Sequence, residues 1–241
     1  VTFTKMAAHM DRVVLPGDTI SDLKESETSK KVVLGPGLRT EAEDVYVCKP
    51  GVLKFKEPNV YWIDTHQKRY VPVKGEHVIG IVTQKAGDIF RVDIGGSDQA
   101  SLSYLSFEGS TKRNRPDVKV GDIVYSRLLV ANKDMEPEVV CIDSHGRSSG
   151  MGVVRSGGFL FKTSLNLVRK MCNPQCVLMK SLGNKFPFEV MVGMNGRIWV
   201  KGRTNKETVA LANAVCAAEH MTNPQIKAMC HRLADALAGF E

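Results

Sequence analysis

The sequence contains no continuous apolar stretch of the roughly 18 residues that a membrane-spanning helix needs. Its N-terminal part also lacks the apolar core of a signal peptide. Cysteine is sparse, with 6 residues scattered along 241, which is too dispersed for a small secreted scaffold held by disulfides. We therefore expect a protein of a reducing intracellular compartment that has no membrane anchor.

Groupings of side chains that perform catalysis or hold metals are also scarce. Cys172 and Cys176 are four residues apart, as are Cys216 and His220, but structural zinc usually needs two closely spaced ligand pairs. Buried cysteines on apolar stripes explain these positions equally well. No nucleophile is patterned with a base, and the acidic residues do not cluster as in two-metal nucleases. We predict no metal, cofactor or catalytic residue, and expect a binding protein rather than an enzyme.

The composition itself is that of an ordinary globular protein, with 43% hydrophobic and 24% charged residues. The length suffices for two or three small domains. A formal net charge of +7 favours a polyanionic partner without identifying it. The patterns described next predict a multidomain chain, mostly β, with an α+β domain at its C-terminal end.

The first predicted unit is a small β domain over residues 13–74, preceded by a flexible lead-in at residues 1–12. Pro-Gly punctuation cuts this region into short β-prone runs, because proline presets a turn and glycine accepts a positive φ. Residues 18–31 are expected to form a polar, mobile loop. The predicted strands are Val13–Leu15, Val32–Leu34, Val45–Val47, Tyr61–Ile63 and Arg69–Val73.

The second unit, residues 75–145, is predicted to be a five-stranded barrel of the OB kind, whose faces and loops commonly bind oligonucleotides. Its long connection, residues 107–116, carries Lys112, Arg113 and Arg115 within four residues. The expected strands are Val78–Thr83, Ile89–Ile94, Ala100–Tyr104, Ile123–Leu128 and Glu138–Ile142.

The third unit, residues 146–241, has the predicted order β-α-α-β-β-α with one extra helix. Thr163 or Ser164 should cap a first helix through Met171, and Asn173-Pro174 should start a second that ends at Gly183. A capping box at Thr204–Glu207 starts a third helix, and Asn223-Pro224 a fourth. The fourth helix should bury Ile226, Met229, Cys230, Leu233 and Leu237.

Between the second and third of these helices, two alternating runs flank Asn195-Gly196, which is a strong hairpin signal and suggests a type I′ turn. Gly193-x-x-Gly196 also matches the backbone-clamping loop of KH domains. That clamp joins the first two helices of a KH domain, and here their junction at residues 171–175 has no glycine. We therefore interpret the glycines as architectural, and expect Trp199 to pack at an interface with the barrel.

A β domain followed by an S1 barrel and a KH unit resembles the cap subunits of the eukaryotic RNA exosome. Pro16-Gly17-Asp18 matches their opening signature, and the segment 193–199 matches their Gly-x-Asn-Gly-x-Ile-Trp signature, here with Gly193, Asn195, Gly196 and Trp199. The segments 68–75 and 103–116 are close to the pattern of one of the cap paralogues. The resemblance covers residues 13–236.

This resemblance implies a non-catalytic RNA-binding subunit, one of three cap proteins on a ring of six inert phosphorolytic-type subunits. The N-terminal domain and the KH unit would dock to the ring and a neighbouring cap subunit, and the S1 barrel would line the RNA entry pore. The subunit would guide single-stranded RNA into the central channel and stabilise the ring, while separate nucleases process RNA from its 3′ end. The implied locations are nucleus, nucleolus and cytoplasm.

The candidate RNA contacts lie on the barrel. Lys112, Arg113 and Arg115 could bind phosphates, although a solvated loop is the alternative. Phe90, Arg91 and Tyr104 could contact bases, with core packing as the alternative for the two rings, and Lys85 lies beside the turn at Gly87.

Two other functions stay open on sequence grounds. A free-standing S1/KH regulator of RNA would act outside the exosome. A fragment of a phosphorolytic ribonuclease is the enzyme alternative, but in those enzymes the KH domain precedes the S1 domain, and no phosphorolytic core is present here.

Overall fold

The computed structural model describes residues 12–20, 32–42, 44–57, 59–132 and 134–238. The predicted lead-in lies outside the described residues except for Arg12, and the predicted loop at 18–31 lies outside them except for residues 18–20. The chain forms two compact units that divide after Gln67.

The first unit contains a four-stranded sheet and a separate two-stranded one. Pro16-Gly17 reverses the chain as predicted: Gly17 has a φ of 95°, and the Asp18 N–H donates to the Leu15 carbonyl at 3.1 Å. The Asp18 carboxylate in turn accepts the Leu15 N–H at 2.9 Å. The sheet has the order β1-β5-β6-β2, with β3 paired to β4, and the strands are β1 Val13–Val14, β2 Val33–Leu34, β3 Leu38–Glu41, β4 Asp44–Val47, β5 Gly51–Lys56 and β6 Val60–Asp64.

The second unit begins with a closed barrel, which confirms the predicted five-stranded architecture. Five strands pair in the order β11-β9-β8-β7-β10, and β10 also pairs with β11, which closes the sheet on itself. Alternation puts Val78, Phe90, Val92 and Leu102 into its core. The strands are β7 His77–Ala86, β8 Ile89–Asp93, β9 Ala100–Ser103, β10 Ile123–Val130 and β11 Glu138–Val140, and β12 Gly152–Val153 adds to the edge of β10.

The predicted strand over Arg69–Val73 is wrong, because this segment is not in a sheet. Tyr70 instead belongs to the core of the barrel, and its hydroxyl donates to the Glu76 carboxylate at 2.7 Å. Burial and this hydrogen bond raise the pKa of Tyr70 above its usual range. Val71 and Val73 are exposed, so their apolar character indicated a strand that packing does not support.

The remainder of the second unit has the KH-like order that the sequence predicts. A three-stranded sheet, ordered β13-β15-β14, packs against the helices through Ile198 and Val200. Its elements are β13 Phe159–Lys162, α1 Leu165–Cys172, α2 Val177–Gly183, β14 Glu189–Val192, β15 Arg197–Lys201, α3 Asn205–Ala217 and α4 Asn223–Ala238. In the part of the chain that the structure describes, no helix is long and apolar enough to cross a membrane.

Helix starts were predicted well where a side chain caps the backbone. Ser164 caps α1, and Thr204 and Glu207 form the reciprocal capping box of α3. The predicted start of α2 at Pro174 is wrong. The Asn173 side chain accepts the Gln175 N–H at 3.0 Å and its carbonyl accepts the Cys176 N–H at 2.9 Å, so a turn precedes the helix.

Candidate nucleic-acid interface

The basic loop of the barrel presents its charges at the apex of a hydrogen-bonded turn. The Thr111 N–H donates to the Asn114 carbonyl at 3.0 Å, and the Asn114 N–H donates to the Thr111 hydroxyl at 3.0 Å. Lys112 and Arg113 lie between these two residues and are exposed. The turn therefore holds two cations in solvent, where they could contact phosphates.

Arg115, the third cation of the loop, is engaged with the barrel. Its guanidinium lies 3.1 Å from the Asp88 carboxylate and 4.9 Å from the centre of the Tyr104 ring. These contacts fix the end of the loop against the barrel wall. Because Asp88 offsets the charge of Arg115, Lys112 and Arg113 are the stronger candidates for binding a polyanion.

The other sequence-predicted contacts are occupied within the barrel. Phe90 and Tyr104 are 3% and 6% exposed and pack in the barrel core, so base stacking would require both rings to leave it. Lys85 lies over the Phe90 ring at 5.6 Å, and Arg91 pairs with the Glu136 carboxylate. RNA contact at these four residues stays a prediction that their burial and pairing disfavour.

The tip of the β14–β15 hairpin docks on an edge of barrel strand β7. Pairing of β7 with β8 ends at Ile81 and Asp93. Beyond that pair, the Asn195 carboxamide accepts the Ile79 N–H at 3.3 Å and donates to the Ile79 carbonyl at 2.8 Å, as another strand would. It also donates to the Ile94 carbonyl at 2.7 Å. The side chain of Asn195 therefore joins the KH-like domain to the barrel.

Two glycines make this docking possible. A Cβ on Gly193 would lie 2.4 Å from the Asn195 Oδ1 atom and 2.8 Å from the Ile79 nitrogen. Gly196 has a φ of 79° and its N–H donates to the Gly193 carbonyl at 3.0 Å. The predicted type I′ turn is wrong, because it needs a positive φ at Asn195 as well, and among the described residues only Ala42 and Ser149 have one without being glycine.

Arg197 makes a second connection between the two domains, and it is only 3% exposed. Its guanidinium lies 2.6 Å from the Asp93 carboxylate and also donates to the Asp93 and Ile79 carbonyls. Burial by itself raises the pKa of Asp93. The hydrogen bonds from Arg197 and the Gly95 N–H, together with the charges of Arg197 and Lys162, lower this pKa by more, so the net shift is downward.

Trp199 lies on the same face of β15 as Arg197 and is 1% exposed. Its indole packs so closely on Gly158 that a Cβ there would lie 2.6 Å from the ring. Burial of this face agrees with the interpretation of the segment 193–199 as architecture. The sequence did not indicate the roles of Asp93 and Arg197, because a single arginine in a strand is usually solvent-exposed.

Cys172, one of the two closely spaced cysteines considered as a zinc ligand, contacts a methionine at the tip of the hairpin. The Cys172 thiol donates to the Met194 sulfur at 3.8 Å, and burial raises the pKa of Cys172. Within the described ranges, no three histidine, cysteine, aspartate or glutamate side chains come close enough to hold a metal ion.

Comparison with protein-family models matches all three predicted units. Residues 12–66 match the mammalian exosome complex component RRP40 N-terminal family, residues 70–152 match the exosome complex component RRP40 S1 domain, and residues 158–206 match a KH domain.

Similar sequences carry the name of the same family, and one solved structure has a similar fold. The human protein named exosome complex component RRP40 is 58% identical over 212 residues, covering 86% of this chain and 77% of the relative. Proteins of the same name from Drosophila melanogaster and Saccharomyces cerevisiae are 48% and 33% identical, covering 93% and 83% of this chain and 97% and 86% of theirs. A crystal structure described as an exosome complex RNA-binding protein is similar in fold, with a TM-score of 0.55 at 20% identity, over 72% of this chain and 100% of its own.

Proposed function

The chain belongs to the family of exosome complex component RRP40, and from this premise we propose that it is a non-catalytic RNA-binding subunit of the exosome cap. In this role it guides single-stranded RNA into the central channel and braces the ring subunits and the neighbouring cap subunits. Separate nucleases then process or degrade the RNA from its 3′ end. The proposal includes action in the nucleus, nucleolus and cytoplasm.

The observation that carries this proposal is the match of three consecutive units, over residues 12–66, 70–152 and 158–206, to the domains of one family of exosome components. OB-type barrels and KH domains are both common nucleic-acid binding modules. The internal geometry of the second unit supports a bracing role. Asn195 and Arg197 fix the KH-like domain to the barrel through buried hydrogen bonds. The barrel and the KH-like domain can therefore contact neighbouring subunits as one joined unit.

Co-assembly is the experiment that tests this function. The chain is mixed with the other ring and cap subunits, and the complex is isolated through a tag on a ring subunit. We expect this chain to be retained in stoichiometric amount. If it stays outside the complex but binds single-stranded RNA tightly by itself, the free-standing regulator is the better description. Phosphate-dependent 3′ exonuclease activity of the pure chain would instead support the enzyme alternative.

The basic loop provides the first prediction about RNA. Replacing Lys112 and Arg113 by alanine should weaken binding of single-stranded RNA to the assembled complex. It should also lower the slope of log K against log salt by about 1.4, because each phosphate contact contributes about 0.7. Fluorescence anisotropy of a labelled oligonucleotide, measured at several salt concentrations between about 50 and 200 mM, gives both quantities.

The matched control replaces Lys74 and Lys119, two exposed lysines elsewhere in the same barrel region. It removes the same charge and should leave the slope nearly unchanged. Adding Arg115→Ala to the loop variant should also lower the melting temperature, since Arg115 contacts Asp88 and Tyr104. Equal slopes for the loop variant and the unmodified complex would remove the loop from the RNA path.

A further inference from the structure

The positive charge of this chain is concentrated away from the barrel. Residues 1–67 contain 9 lysines and arginines against 10 aspartates and glutamates, and residues 68–157 contain 13 against 11. Residues 158–241 contain 11 against 5. These three segments carry formal charges of −1, +2 and +6, which add to the +7 of the whole chain. Most of the electrostatic attraction for a polyanion therefore originates in the KH-like domain.

Two of these cations, Lys185 and Lys227, lie beside one polar face of α4. Asn223, Lys227 and His231 are spaced four residues apart on α4 and are all exposed, so they follow one face of the helix. The Lys185 ammonium donates to the His231 Nδ1 atom at 2.9 Å, which places Lys185, two residues after α2, beside this row. Asp235, one turn further along α4, ends it.

The other end of the row opens into a pocket of about 230 Å³. Its apolar lining includes Met171, Met221 and Ile226. Its polar lining consists of Lys170 and three carboxamides, from Asn173, Gln175 and Asn223. The ammonium of Lys180 is fixed at this site, since it donates to the Gln175 side chain at 3.0 Å.

We propose that this face of the KH-like domain is a second binding surface for single-stranded RNA. In this surface the pocket receives one base and the neighbouring lysines bind the adjoining phosphates. We name it the basic strip, and define it as Lys170, Lys180, Lys185, Lys227 and His231 with the pocket. The Asn173 and Gln175 oxygens already accept hydrogen bonds from the Gln175 N–H and the Lys180 ammonium. Their NH₂ groups can still donate to the acceptor atoms at the edge of a base. The four lysines of the strip supply cations that can contact the phosphates of a backbone.

The pocket favours RNA over an acidic protein segment as the occupant. An acidic peptide would pair its carboxylates with the lysines, but aspartate and glutamate side chains have no flat apolar face to fill the pocket. A lining that combines apolar and polar side chains suits a flat base that is apolar on its faces and polar at its edge. The inference rests on the proposed RNA-binding function and adds a location to it.

The test replaces Lys180, Lys185 and Lys227 by alanine in the full-length chain. Binding of a fluorescein-labelled oligo(U) 20-mer should weaken at least about tenfold at 0.1 M salt, and the salt slope should fall by about 2, because three contacts are removed. The control replaces Lys201, Arg203 and Lys206, which changes the net charge equally. Lys201 ends β15, and Arg203 and Lys206 flank the start of α3. The 13 residues of α3 span about 20 Å before the pocket residue Ala218.

The pocket is tested separately by Asn223→Leu, a substitution at an exposed position that lines it, because Gln175 also holds Lys180 in place. We expect affinity to fall a few-fold with an unchanged salt slope, because a hydrogen-bonding group is lost and no charge is. Thermal melting of each variant verifies that it folds. An unchanged affinity for this folded variant would overturn the assignment of a base to the pocket.

The outcomes separate this inference from the function on which it rests. If the unmodified chain and the assembled complex bind no RNA, the proposed function fails. If the unmodified chain binds RNA but the lysine variant and its charge-matched control weaken binding equally, only the basic strip is overturned. If the lysine variant loses binding to a labelled glutamate 20-mer but keeps its affinity for RNA, the basic strip is also overturned, because the surface would then bind an acidic protein.

Discussion

Replacing Asn195 by alanine should lower the free energy of unfolding of this chain by about 3 kcal/mol. The side chain is 9% exposed and makes three hydrogen bonds to the backbone of Ile79 and Ile94, both of which are fully buried. Removing it leaves the Ile79 N–H and the Ile94 carbonyl without this partner, and each unsatisfied buried group costs about 1–3 kcal/mol. Urea denaturation followed by tryptophan fluorescence and by far-UV circular dichroism measures the loss.

The shape of the unfolding transition should change as well. Asn195 joins the KH-like domain to the barrel, so its loss weakens the coupling between two cores that share Met194 and are also linked by Leu165 of α1, which packs in the barrel core. We expect one cooperative transition of the second unit to broaden or to split into two. A variant that unfolds at the unmodified urea concentration in a single transition would contradict this role.

Two further substitutions sharpen the result. Asn195→Asp places a carboxylate oxygen where the carboxamide nitrogen now faces two carbonyl oxygens, so it should destabilise the chain at least as much as alanine does. Asn213→Ala changes an exposed asparagine within α3 and should be neutral or slightly stabilising, because alanine is the better helix former. RNA affinity of the folded Asn195→Ala variant should be preserved. Loss of RNA binding without loss of stability would return the hairpin to the list of RNA sites.

Features that depend on neighbours in the sequence were predictable. The barrel strands follow from period-2 alternation, and the helix starts at Ser164 and Thr204 follow from side chains that cap the adjacent backbone. One failure is also local but involves a competing conformation. Pro174 could begin a helix, yet the Asn173 side chain stabilises a turn there first.

Strands with weak apolar patterns were missed. Leu38–Glu41 and Gly51–Lys56 carry charged residues and are largely exposed or half-buried, so their alternation is faint in the sequence. They are specified by pairing with β4 and β6, which contain stronger β-forming runs. Such strands depend on partners that a local pattern does not name.

The candidate site divides in the same way. The basic loop at Lys112 and Arg113 is visible in the sequence because its charges are adjacent. The basic strip is not visible, because Lys180, Lys185 and Lys227 come from different elements that only the packing of α2 on α4 brings together. The junction was missed for a similar reason, since Asn195 and Ile79 are 116 residues apart.

The ion pair between Arg197 and Asp93 gives the second large effect, and its two partners should respond unequally. The Arg197 side chain is 3% exposed and that of Asp93 is 43% exposed. Arg197→Met leaves a carboxylate that water can solvate, whereas Asp93→Asn leaves a buried guanidinium with only carbonyl partners and an amide. Removing one member of a fully buried pair costs about 3–5 kcal/mol. Because Asp93 is partly solvated, we expect about 2 kcal/mol for Arg197→Met and about 3 kcal/mol for Asp93→Asn.

Acid should reveal the same pair. Because the folded-state pKa of Asp93 is lowered, the stability that this shift contributes is fully present above the ordinary aspartate value of 3.8 and is lost as the pH falls through the folded-state pKa. The unmodified chain should therefore lose stability below pH 3.8 more steeply than either single variant does. Urea midpoints measured at several pH values for the four members of the Asp93/Arg197 double-mutant cycle test this directly. Additive effects of the two substitutions, with identical acid profiles, would show that the pair does not hold the KH-like domain on the barrel.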